Sequence, residues 1–150
     1  MGQKNGGGKK RKNWFEQQVE RFGSDFIHSI RADEAQKGAV KVFGDLARGN
    51  VNISTEGGYF LDPQFLENCI IAANSKQVFY KYLYEGLNAS VRENPNTAND
   101  QSFQAVYRNI SNSLSAFSYI YQALHGIKET GNLQYLYTLV SQLAPYKYVL

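Results

Sequence analysis

Apolar side chains return every three or four residues along most of this chain. Phe15, Val19, Phe22, Phe26 and Ile30 step by four, three, four and four. That is one face of an α-helix. Asn13 is placed to cap it, and Glu16 completes a pattern like a capping box. Asp33 starts a second helix, with Gln36 three residues on and Ala35, Ala39, Val42, Phe43 and Leu46 on one face. Gly38 and Gly44 each weaken that helix by about 1 kcal/mol relative to Ala. They either admit a close helix contact or are tolerated defects. Gly49 and Asn50 form the stop.

The rhythm breaks at "VNISTEGGYFLDP". Val51 and Ile53 alternate with polar residues, and Gly57-Gly58 offers a turn. A short strand hairpin and an ordered loop both fit. Asp62 followed by Pro63 reads as a helix start. The stripe Leu66, Cys69, Ile70, Ala73, Tyr80, Leu83, Leu87 and Val91 then runs towards Glu93. It fits one long helix, or two with Ser75 capping the second. "NPNTAND" is a loop, and Asn99 or Asp100 caps the next helix. Phe103, Tyr107, Ile110, Leu114, Phe117, Tyr121 and Leu124 make a three-heptad seam, the spacing of packed helix bundles. Gly131 sits where a helix should end. A last helix carries Leu133, Leu136, Val140 and Leu143 and stops before Pro145. The tail "YKYVL" either packs back or docks on a partner. The expectation is an all-α bundle of about five helices with one short hairpin or loop insertion. One domain, residues 13–150, is expected to follow a flexible basic arm, residues 1–12.

Charge sharpens that division. The net charge is +3 over 150 residues. Lys4, Lys9, Lys10, Arg11 and Lys12 lie in the first fifteen residues with no acid among them. The rest of the chain holds the other eleven cations against all thirteen acids. The basic character therefore belongs to the arm, not to the body. Glycines at 6–8 keep the arm from ordering before contact, and twelve stretched residues reach about 40 Å. Such cations neutralise phosphates without reading sequence. Trp14 and Phe15 adjoin them, either stacking on unpaired bases or anchoring the first helix in the core. A merely solubilising tail is the bland alternative. Membrane attachment is not expected from one short basic cluster without an acyl chain.

No catalytic signature stands out. His28 and His125 lack ligand partners at metal spacing, and "GGGKK" lacks the phosphate-loop spacing. Acids at helix starts read as caps. Cys69 lies in an apolar run, which points to a buried structural thiol. No enzyme activity, cofactor, metal or small-molecule substrate is expected. A lone cysteine and the absence of an apolar leader fit the cytoplasm or the interior of a virion rather than secretion.

The second half of the chain is poor in charge. From Gln101 to Leu150 only Arg108, Lys128, Glu129 and Lys147 are charged. Interface cores share that poverty and are rich in aromatics. Tyr119, Tyr135, Tyr137, Tyr146 and Tyr148 are therefore candidate contacts with another protein subunit, self or hetero; biased composition gives the same look. A basic arm joined to a weakly charged helical body resembles, in layout, the structural proteins of nucleoprotein particles and virions. The expected function is a non-enzymatic structural or assembly component that touches nucleic acid nonspecifically through Lys4, Lys9, Lys10, Arg11, Lys12 and Trp14. The alternative is a small helical adaptor or regulator that binds another protein, with the arm serving solubility.

Overall fold

The computed structural model describes the backbone of residues 32–150 and the side chains from residue 38 onwards. The arm and the stripe from Phe15 to Ile30 lie outside the described residues, as does His28. The described chain forms five α-helices: α1 (Ala32–Ala47), α2 (Ile53–Glu56), α3 (Pro63–Glu93), α4 (Gln101–Thr130) and α5 (Gln134–Leu143). There is no strand among the described residues, so the all-α expectation stands.

Local chemistry explains most of the boundaries. Gly49 takes φ +74°, which suits a residue without Cβ. It lets the Asn50 amide donate back to the Asp45 carbonyl at 2.8 Å. The Asp62 carboxylate accepts from the Phe65 amide at 2.9 Å and caps α3. Asp100 does the same for the Ser102 amide at 2.9 Å and caps α4. Gly131, at φ +70°, closes α4.

Two open alternatives are resolved. Residues 51–61 form no strand hairpin. They wind into α2 and a 3-10 turn, Gly57–Leu61. The Glu56 carboxylate, itself buried, accepts from the Asn52 amide at 2.9 Å, so the backbone is satisfied locally. Phe60 is fully buried with its ring 5.3 Å from Phe65. Gly57 is helical at φ −61° and makes no turn of its own. The other alternative resolved is at Ser75, which caps nothing: α3 is one helix, unbroken for 31 residues. Asn74 and Ser75 face solvent, where their poorer helix propensity costs only a fraction of a kcal/mol each. Packing on both sides of them overrides that cost.

α3 and α4 form a long antiparallel hairpin, each about 45 Å at 1.5 Å per residue. Their bases are wrapped by α1, α5, the 3-10 turn and the C-terminal residues. The core holds Val42, Phe43, Leu46, Phe60, Phe65, Ile120, Leu124, Ile127, Leu136, Leu139 and Leu143. Phe117 joins three helices there: its ring is 6.1 Å from Phe43 and 5.7 Å from Tyr80. The tail packs back, with Tyr146, Val149 and Leu150 against the core. Gly44 admits it closely, since a Cβ there would sit 3.2 Å from the Leu150 carbonyl oxygen. Towards the tip the cover stops. No side chain between residues 74 and 112 is fully buried.

Two helical glycines give a paired prediction. A Cβ on Gly86 meets nothing within 4 Å, whereas one on Gly126 meets the Tyr135 ring at 2.6 Å. Gly86→Ala should stabilise the fold by about 0.5–1 kcal/mol through helix propensity. Gly126→Ala should destabilise it by about 1 kcal/mol, because overpacking outweighs the same gain. Urea unfolding of the two variants should therefore shift in opposite directions.

Candidate interaction surfaces on the helical hairpin

An α-helix buried on one side should turn polar on the other. α3 does not do so throughout. Its core face carries Leu66, Cys69, Ile70 and Ala73. Ile71, Val78 and Tyr82 lie on the opposite face at steps of seven and four, and Phe79 stands at their edge. Ile71, Val78, Tyr82 and Phe79 are 50%, 60%, 75% and 52% exposed, respectively. Isolated exposed apolar residues need no explanation, but Val78, Phe79 and Tyr82 adjoin one another, and such a patch marks a contact surface; Ile71 lies on the same face two turns away, across the exposed Ser75. The stripe spans about 16 Å of helix. Tracing the core phase along the sequence passes over these residues, because they fall one step away from it. Their apolar character off that phase was the available signal.

Nearer the tip, the two arms are joined by polar contacts. The Tyr107 hydroxyl lies 3.0 Å from Asn88 Oδ1 and 3.1 Å from the Tyr84 hydroxyl. Asn88 Oδ1 can only accept, and the Tyr107 hydroxyl has a single hydrogen to share between Asn88 Oδ1 and the Tyr84 oxygen. The two rings are 5.3 Å apart. The hydrogen bond with Tyr84, and then desolvation, hold the Tyr107 phenol above its ordinary pKa. Beside this network opens a groove of about 760 Å³, with Arg92 on α3 and Arg108 on α4 in its lining.

The tyrosines singled out from composition are placed in different ways. Tyr119 and Tyr146 stack on each other with centroids 6.2 Å apart, and both pack against the core. Tyr135 lies over Gly126 and is 38% exposed. Tyr148 is mostly exposed, and its hydroxyl accepts from the Asn112 amide. Tyr137 is about half exposed. Lys4, Lys9, Lys10, Arg11, Lys12 and Trp14 lie outside the described residues. Cys69 is buried, and that burial pushes its thiol pKa up, which disfavours the thiolate. His125 is exposed beside the Tyr121 ring, 6.0 Å away. No helix among the described residues is long and apolar enough to cross a membrane.

The raised Tyr107 pKa fixes the sign of a pH effect. The folded state favours the neutral phenol, so this contribution is complete below the unfolded pKa of about 10 and fades as pH rises through the higher folded value. Tyr107→Phe should lower the melting temperature at neutral pH, and its deficit against the parent should narrow above about pH 10. Thermal melts across pH 7 to 11 would measure it. No family model matches the chain, and no curated protein or solved structure matches it either.

Proposed function

We propose that this protein is a non-enzymatic assembly component of a multi-subunit nucleoprotein particle, such as a virion. In this reading the exposed face of α3 docks on the same face of a second copy, while the basic arm tethers nucleic acid. The observation that carries it is the stripe of Ile71, Val78, Phe79 and Tyr82 on a hairpin that outruns its own core. A two-fold pairing of one helix face with itself is the commonest way for identical subunits to bury such a stripe. The charge layout supports the second half. Residues 38–150 hold eight cations and eight acids, so the whole surplus of +3 lies before them. Lys9, Lys10, Arg11 and Lys12 are its densest part.

Sedimentation of the full chain across concentrations tests the docking. The parent should form a reversible dimer or larger species. Val78→Glu with Tyr82→Glu should give a monomer with unchanged helical content. A parent that stays monomeric throughout would overturn the pairing. Replacing Lys9, Lys10, Arg11 and Lys12 with Gln tests the tether. The slope of log affinity against log salt on duplex DNA should fall by about 3.6. An unchanged slope counts against the arm. Self-association with no nucleic-acid binding at all would select the adaptor reading instead.

A further inference from the structure

The groove at the hairpin tip is a separate surface from the α3 stripe, and its chemistry is different. It is built at helical spacing from both arms. Arg92 comes from the end of α3, while Gln104, Tyr107, Arg108 and Asn112 come from successive turns of α4. Its volume of about 760 Å³ falls within the usual range for small-ligand sites.

Three features define what would fit. The first is charge. Two guanidinium groups line the groove and no carboxylate does, although residues 38–150 carry as many acids as cations. The ion pairs among the described residues are Lys41–Asp45, Arg48–Asp45 and Lys128–Glu67. Neither Arg92 nor Arg108 takes part in one. A planar guanidinium presents a fork of donors that matches phosphate oxygens in pairs. The second is aromatic surface. Phe103 and Tyr107 both line the groove, with ring centroids 5.9 Å apart. Aromatic surface of this kind takes the flat face of a base without selecting which base. The third is the supply of amides. Gln104 spends one N–H on the Ala98 carbonyl at 2.8 Å, and Asn112 spends one on Tyr148. Each amide keeps its oxygen and a second N–H for a ligand.

The flanks narrow the choice. Glu93 and Asp100 bracket the tip, and Glu85 lies one turn before Asn88. Such acids repel a broad anionic surface, whether a bilayer or the full width of a duplex, yet leave a narrow cationic slot between the arms. From this we infer that the hairpin-tip groove binds a nucleotide unit, phosphate on Arg92 and Arg108 and base against Phe103 and Tyr107. The unit is either a free nucleotide or one residue of a single strand. The site does not depend on the arm.

The test uses the full chain with Lys9, Lys10, Arg11 and Lys12 changed to Gln, so that the arm contributes little. Binding of a fluorescent six-nucleotide poly-dT strand is followed by anisotropy across salt. Residual binding is expected. Arg92→Gln with Arg108→Gln should weaken it at least tenfold and lower the salt slope by about 0.7, the figure for one phosphate on a single strand. Arg92→Lys with Arg108→Lys should recover the slope but only part of the affinity. Circular dichroism should show all variants equally helical. Adenosine monophosphate should displace the strand if a free nucleotide suffices, whereas failure to displace it assigns the site to a strand. Displacement by inorganic phosphate at the same concentration would overturn the nucleotide assignment. Absence of residual binding, or indifference to the Arg92 and Arg108 changes, would overturn the site while leaving the arm reading intact. Loss on the groove substitutions with no effect of the arm substitutions would do the reverse.

Discussion

The contact of Phe117 with Phe43 and Tyr80 is the hinge of the whole arrangement. It is the place where α1, α3 and α4 meet through their rings. On one side of it every helix has two or three neighbours and the interior is closed. On the other side, among the described residues, α3 and α4 have each other, the short 3-10 turn Pro95–Asn99 that joins them, and the Tyr148 hydroxyl on Asn112. Aromatic pairs stabilise by about 0.5–1.5 kcal/mol beyond their buried area. Here they also fix the register of two helices that must stay paired for several further turns without a fully buried side chain.

Both candidate surfaces arise from that mismatch in length. Two helices of about 45 Å are wrapped by α1 and α5, which are only about 24 and 15 Å long. The uncovered stretch must show its outer face to solvent, and on α3 that face carries Val78, Phe79 and Tyr82. Among the described residues no third helix fills the inner face; the arms meet there through phenol and amide groups, with a groove beside them. A third long helix over the tip would remove the groove and shorten the stripe.

Much of the fold was legible. Asp62, Asp100, Gly49 and Gly131 announce helix ends through chemistry that acts within a few residues, so sequence suffices. The seam on α4 was legible only in part. Phe103, Tyr107, Ile110 and Leu114 follow the seam towards α3 at the tip, but deeper in, the buried set is Ser113, Ala116, Phe117, Ile120, Ala123, Leu124 and Ile127. An extra neighbour, α5, widens the buried face there, and a single-stripe reading does not see it. The choice between one helix and two at Asn74-Ser75, and between hairpin and loop after Val51, stayed open for a related reason. Local propensity argued for interruption, while Tyr80 on Phe117 and Phe60 on Phe65 are tertiary contacts that decide otherwise. The site was harder still. Arg92 and Arg108 are ordinary surface cations in sequence, and only the antiparallel pairing of the arms brings them to one groove.

A rod clamped at one end has a stability gradient along its length. The amides of α3 and α4 near the Phe117 junction can exchange with solvent only when the whole globule opens. Those near Asn88 and Gln104 need only the tip to separate, which exposes little apolar area and breaks few bonds. The polar end of the hairpin is thus the segment whose opening costs least, and any molecule held between Arg92 and Arg108 would act as a clasp, slowing deuterium uptake there while leaving the base unchanged.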